Sequence, residues 1–343
     1  MVPLAELLDD PMWFPAALTD ECRTLQFVRI SRDALSKEAF LDQRMAGSVT
    51  ASQSCPLVDI IKHVTDLPQD PPAFIFHSAF CCSTLLARAL DVPGQCLALK
   101  EPDVLMGLAN VLRTNKNTVD NSALLKVVFG LLARRFERSE YVVVKPTNSA
   151  NNLLPHAARL GARVLILYGD LRSFLVSVLK KGEACKAFVR TQYNIFGLDP
   201  GGLASIPSRQ AMTFTDLQVA ALVWRHQMEL FQKAVENCED SRVATLDFQV
   251  FVDEPAQTLI AVADHLGLSH DQQTLEEIAS GPVFGRNSKF DDQAYDSEQR
   301  ASDVQTIEQH YGEALDHIDN WASELNLGTT LSLPLGNKLD VPS

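Results

Sequence analysis

Positive charge is scarce in this chain. Thirty lysines and arginines stand against 43 aspartates and glutamates, a formal net charge of -13 over 343 residues. Such a surface repels nucleic acid and anionic membrane, so an anionic ligand would have to be held by a local basic pocket. No apolar run is long enough to cross a bilayer, and residues 1–6 carry neither a basic start nor an apolar core of a leader, so a cytoplasmic location is expected. The 7 cysteines include no C-x-x-C pair, which predicts free thiols in a reducing compartment. Also missing are a His/Asp/Glu cluster with metal-ligand spacing, a G-x-S-x-G nucleophile motif, internal repeats and low-complexity tracts. No metal is therefore expected. What remains is a chain with 46% hydrophobic and 21% charged residues, enough for a sizeable α/β core.

The most informative segment is 73–90. Ala73–His77 is an apolar run, Ser78-Ala79-Phe80-Cys81-Cys82 is a loop of mostly small residues, and a helix opens at Ser83-Thr84. A strand–loop–helix of this kind gathers backbone N–H groups and a helix dipole around one anion, phosphate or sulfate. Against G-x-x-x-x-G-K-[ST], however, His77 and Cys82 replace the glycines and Ser83 replaces the lysine; only Thr84 fits. A phosphate loop without that lysine is poorly suited to ATP hydrolysis.

Further along, four more short apolar runs follow: Cys96–Lys100, Tyr141–Lys145, Val164–Tyr168 and residues 242–248. Between them lie helical patterns at 103–113, 122–136, 151–160, 172–180 and Asp216–Glu236. This alternation predicts a three-layer α/β fold whose central, mainly parallel sheet is flanked by helices, with ligands at the carboxyl ends of the strands. Residues 1–70 read as an appended N-terminal layer with a strand near 26–31 and a helix over 35–44; 71–330 form the main domain and 331–343 a tail. The Gly-, Pro- and Ser-rich stretch 197–208 reads as a surface loop able to cover a site.

With these motifs in order, the chain resembles the sulfotransferases, P-loop enzymes that move a sulfuryl group from 3′-phosphoadenylyl sulfate to an alcohol, phenol or amine. The resemblance spans roughly residues 73–290. Phe80-Cys81-Cys82-Ser83-Thr84 with Leu86 aligns with the family's [RK]-S-G-[ST]-T-x-L loop, which wraps the 5′-phosphosulfate; Phe80 stands in the basic position and Cys82 in the glycine position. Asp170, Arg172 and Ser177 match R-D-P-R-x-x-x-x-S, whose leading arginine and final serine hold the 3′-phosphate, but Gly169 replaces that arginine and Leu171 the proline. Leu246-Asp247-Phe248, Asp253-Glu254-Pro255 and Leu266-Gly267-Leu268 are similar to a later strand–helix unit of the family.

The resemblance implies roles for particular residues. Ser78 to Thr84 would cradle the 5′ end of the donor, and Arg172, with Ser177, would meet the 3′-phosphate. Arg286, Ser288 and Lys289 sit where the family has a basic segment that closes over that phosphate. Glu101, in Lys100-Glu101-Pro102, would be the general base, and Lys145 would neutralise the sulfuryl oxygens. His77 is a second base candidate or a satisfied strand-end histidine. Bland readings stay open: Glu101 as a helix-start acid, Arg172 as a solvated first-turn residue, 286–289 as a solvated loop, Trp224 as core.

Convergence of Lys100, Lys145, Arg172 and Lys289 on one pocket is the discriminating expectation: if they point apart, no phosphate-rich donor can be held by them there. The donor expected is 3′-phosphoadenylyl sulfate, as a co-substrate, and the acceptor a small molecule or glycan-like hydroxyl or amine. The replacements at Phe80 and Gly169 leave a second reading, a catalytically impaired nucleotide- or anion-binding protein. A third is an NTP-dependent kinase in which Asp247 would serve as the Walker B acid.

Overall fold

The structure, a computed structural model, describes residues 2–114, 120–200, 202–238, 241–284, 297–325 and 330–342. The N-terminal layer is a three-stranded antiparallel sheet of β1 (Trp13–Thr19), β2 (Thr24–Arg29) and β3 (Ala51–Pro56). Alternation along β2 buries Leu25 and Phe27 against the rest of the molecule. The buried Arg134 guanidinium, donating to the carbonyls of Leu7, Leu8, Asp10 and Trp13, ties this layer down. Its apolar residues join one continuous core with Phe74 and Val144 of the main sheet.

That main sheet contains β4 (Ala73–His77), β5 (Cys96–Lys100), β6 (Tyr141–Lys145), β7 (Val164–Tyr168) and β8 (Val243–Asp247), all parallel. These are the five apolar runs, and the parallel sheet they were expected to form is present. Strands this short and buried at nearly every position are stable only when covered on both faces, and helices cover both. The strand order is β5-β6-β4-β7-β8. The chain winds outward from β4 to β5, returns to β6, then crosses to β7 on the other side of β4. The winding direction therefore reverses beside β4, and a crevice opens at the carboxyl ends there.

Elsewhere the expected boundaries shift. The helix predicted over 35–44 is instead a helix at Arg32–Lys37, started by Ser31 accepting the Ala34 N–H at 3.2 Å, followed by a 3-10 segment at Gln43–Ser48. The pattern at 151–160 splits into a 3-10 segment, Asn148–Leu153, and a short helix, Leu154–Arg159. Two long helices, Gly182–Phe196 and Ser297–Glu324, were not foreseen. Stretch 197–208 is anchored rather than loose: Asp199 is buried and paired with the Arg113 guanidinium at 2.7 Å. The tail lies along the outer edge of β8, where Thr245 donates to Asn337 O and Leu339 to Thr245 O, both at 2.8 Å. It thereby satisfies an edge that would otherwise be open to pairing.

Candidate functional site

The loop after β4 runs into the helix Ser83–Leu90 at the switch point, as the strand–loop–helix pattern predicted. Ala79, Phe80 and Cys82 all adopt left-handed backbone, with φ of 67, 55 and 58°. Residues with a Cβ resist this region at a cost of roughly 1–2 kcal/mol each, so the loop is held in shape by its surroundings. Cys82 is the N-cap but makes no side-chain cap bond, so the first-turn N–H groups are not used up by a side chain there. Ser83 and Thr84 are buried at the helix start.

What holds the loop is largely His77. Its Nδ1 accepts the Ala79 N–H at 3.1 Å, and its Nε2 lies 3.0 Å from Pro146 O. A ring that accepts at Nδ1 carries its proton on Nε2 when neutral, so Nε2 donates to Pro146 and both nitrogens are used in fastening β4 to the end of β6. In this arrangement His77 is a clasp, with no nitrogen turned to a substrate proton. Ser78 Oγ accepts the Gly169 N–H at 3.3 Å, which joins the loop to the end of β7. Cys81 Sγ donates to Leu167 O at 3.4 Å, and burial pushes this thiol up to about 11, away from the thiolate form.

Beside the loop, β5 and β6 bring Glu101 and Lys145 together. Lys145 Nζ, fully buried, donates to Glu101 Oε1 at 2.6 Å. The same ammonium stands 3.3 Å from His77 Nε2. Glu101 also has left-handed backbone, φ 54°, and its N–H donates to Lys145 O at 2.7 Å. Strain at a residue outside the regular strands, fixed by the hydrogen bond its N–H donates to the neighbouring strand, is the pattern seen where side-chain direction matters.

Other expected cations go elsewhere. Lys100 is buried and turned to the N-terminal layer, donating to Ser36 O at 2.8 Å and Leu35 O at 3.2 Å, with Asp91 at 3.5 Å. Arg172 is gripped by three carboxylates of the helix Ser297–Glu324: Glu308 at 2.6 Å, Asp316 at 2.7 Å and Asp319 at 3.0 Å. Of the three described cations expected to converge, Lys145 faces the loop while Lys100 and Arg172 turn to other partners, so the expected pocket of cations is overturned and a phosphate there would rely on the loop N–H groups and Lys145. Arg286, Ser288 and Lys289 lie outside the described residues. Ser177 is half-buried, one turn and a little more beyond Arg172.

Gly169 explains its own departure from the arginine of the motif. A Cβ there would meet the Phe248 ring at 2.7 and 2.8 Å, and its carbonyl accepts from Trp224 Nε1 at 2.8 Å. Phe248 and Trp224 therefore occupy the space beside the end of β7, and Trp224 is more than core. Asp247 ends β8, which β7 separates from β4, and its carboxylate caps the Gln249 N–H at 2.9 Å. A Walker B role is not favoured by that position.

One cation near the loop escaped sequence reasoning. Lys181 Nζ lies 4.2 Å from the centroid of the Phe80 ring. Its signal was the four-residue step from Ser177, which places both on one helical face.

No protein-family model and no curated protein matches this chain. Solved structures of sulfotransferases are similar to it. The sulfotransferase domain from the curacin biosynthetic pathway is 16% identical over 77% of this chain and 94% of its own, with a TM-score of 0.39. A mouse sulfotransferase complexed with PAP is 10% identical over 78% and 95%, with a TM-score of 0.32. A retinol dehydratase in complex with androsterone and inactive cofactor PAP is 13% identical over 83% and 92%, with a TM-score of 0.40. Likenesses this shallow carry no argument about chemistry, which must come from the residues of this chain. No helix among the described residues is long and apolar enough to cross a membrane, and no group of three or more His, Cys, Asp or Glu among them is placed to hold a metal.

Proposed function

We propose that this protein transfers a sulfuryl group from 3′-phosphoadenylyl sulfate to the hydroxyl or amine of a small-molecule or glycan-like acceptor. The observation that carries the reading is the buried Lys145–Glu101 pair set beside a left-handed, side-chain-uncapped loop at the switch point of the sheet. The loop N–H groups and the Ser83 and Thr84 hydroxyls suit the 5′-phosphate. The 3′-phosphate side fits less directly, because Phe248 fills the space at Gly169 and Arg172 is held by three acids. A 3′-phosphate would have to compete with those carboxylates for Arg172, and Ser177, further along the same helix, lies about 140° round its axis.

In the reaction, the acceptor oxygen or nitrogen attacks sulfur, the bond from sulfur to the bridging 5′-phosphate oxygen breaks, and the acceptor proton passes to Glu101. With the pair intact, the Lys145 ammonium occupies a Glu101 oxygen. Sulfuryl oxygens offer that ammonium a competing partner, so donor binding draws Lys145 away and opens Glu101 to the acceptor proton. The products are the sulfated acceptor and adenosine 3′,5′-bisphosphate.

The Arg172 clamp and the Phe248 packing favour a second reading, an anion- or nucleotide-binding protein without turnover. Thermal melts separate the two and the kinase alternative. Ligand at 100 times its dissociation constant stabilises the native state by ~2.7 kcal/mol, a readable shift. A larger shift with adenosine 3′,5′-bisphosphate than with ATP and Mg²⁺ supports the donor assigned here. The reverse order supports a kinase, and no shift with either sinks the donor assignment. Transfer of radiolabelled sulfate onto a panel of hydroxyl and amine acceptors then distinguishes an enzyme from a binding protein.

A further inference from the structure

We infer that Lys181 supplies the positive charge that the loop itself lacks, acting on the phosphosulfate end of the donor; the inference rests on the sulfuryl-transfer reading above. The observations concern a small aromatic seat. Phe80, at the loop position where the resemblance calls for a cation, is packed between Phe174 at 5.2 Å and Phe188 at 5.9 Å, centroid to centroid. Phe174 belongs to the helix Leu171–Lys180 and Phe188 to the helix Gly182–Phe196. Lys181 is the single residue between the two helices, and Gly182 follows with φ 64°. That left-handed glycine turns the chain sharply enough for both helices to reach the same ring.

At the hinge, the exposed Lys181 lays its ammonium over the Phe80 face at 4.2 Å. A cation held on a ring face is attracted by the ring quadrupole and is steered in direction by it. Phe80 thus serves as a platform for a lysine borne by a neighbouring helix. The same ammonium belongs to the residue four positions beyond Ser177, which is assigned to the 3′ side, and it lies on a side chain of the loop assigned to the 5′ side. Lys145 approaches the loop from the β6 side, through His77, and Lys181 from the helical side through Phe80. A phosphosulfate in the loop would be flanked by both. When the sulfur–oxygen bond breaks, negative charge grows on the bridging oxygen, and a cation on each side lowers that charge's energy.

The test is calorimetric titration of the full chain with adenosine 3′,5′-bisphosphate, using the wild type, Lys181→Ala, Lys181→Met and the pair Lys181→Ala with Phe80→Lys. Loss of a charged contact to phosphate predicts binding about tenfold or more weaker in both single variants, each still unfolding cooperatively in a melt without ligand because the Lys181 side chain lies at the surface. Moving the lysine onto the loop with Phe80→Lys should recover most of the loss. Wild-type binding with no change in either single variant overturns the role of Lys181 and leaves the donor assignment standing. Weakening that Phe80→Lys does not recover also overturns it, since the charge would then act somewhere other than the loop. A wild type that binds no bisphosphate removes the donor assignment, and this inference with it.

Discussion

Lys145 and Glu101, from the ends of adjacent strands, form a 2.6 Å ion pair in which the lysine is fully buried and the glutamate keeps only 18% of its side chain exposed. A buried pair is weak evidence for stability, because desolvating two charges offsets most of their attraction. It is a reason to look for chemistry. The pair lies beside the His77 clasp, so a change in either charge is felt by the loop that the clasp holds.

Glu101→Gln should lower turnover by ~10²-fold or more while leaving affinity for adenosine 3′,5′-bisphosphate within about twofold, as expected for loss of a proton acceptor. Lys145→Ala should lower both, since the ammonium serves the sulfuryl group and the loop. Steady-state kinetics beside calorimetry check this. Full activity in Glu101→Gln would place the base elsewhere.

Gly169→Ala should destabilise the protein by about 1–3 kcal/mol, the usual cost of overpacking, because the new Cβ meets Phe248 at 2.7 Å. Shrinking the ring with Phe248→Leu in the same chain should restore part of that loss. Urea unfolding of the single and double variants measures both. A silent Gly169→Ala would mean that Phe248 gives way freely.

Cys82→Gly should leave stability unchanged or raise it by up to about 1 kcal/mol, because glycine accepts the left-handed φ of 58° without a Cβ clash but gains freedom in the unfolded chain. Cys82→Val should lower it by roughly 1–2 kcal/mol, since a β-branched residue tolerates that region least. Equal stabilities for the glycine and valine variants would show that the loop backbone is not strained.

Lys100 carries the pH prediction. Burial lowers its ammonium from 10.5 to about 8. Between those values the unfolded chain holds a proton that the folded chain has released, so this residue's contribution to stability improves as pH rises; below pH 8 its full cost is present. The stability of wild type relative to Lys100→Met should therefore rise by roughly 2–3 kcal/mol between about pH 7.5 and 10. Denaturant curves at the two pH values would show a flat difference if burial did not govern the group.

The core of the fold was legible from residues alone. Each of the five parallel strands was visible as an apolar run bounded by polar or turn residues, because a strand covered on both faces has no polar side to confuse the pattern. The helix Asp216–Glu236 was visible over its whole length for a related reason: its capping box at Thr215 and Gln218 and its long period mark both start and face. The placing of Lys145 and Glu101 at the ligand edge was also accessible, since a charge closing a buried apolar strand falls at the carboxyl end, where a parallel sheet binds its ligands.

What the tertiary structure alone decided is where each cation points. Lys100 and Lys145 are side by side in register on β5 and β6, yet one serves the carbonyls of the N-terminal layer and the other Glu101. Arg172 matched a phosphate motif by spacing, but the acids that grip it lie 136 to 147 residues later. Lys181 belongs to no motif, only to a four-residue step from Ser177, and it meets Phe80 where Gly182 turns the chain and two aromatic rings pack. Periodicity in sequence records which face of an element is buried, because burial of apolar area acts locally on every turn or pleat. The partner of a charge is set by contacts between distant segments, and no local pattern encodes it.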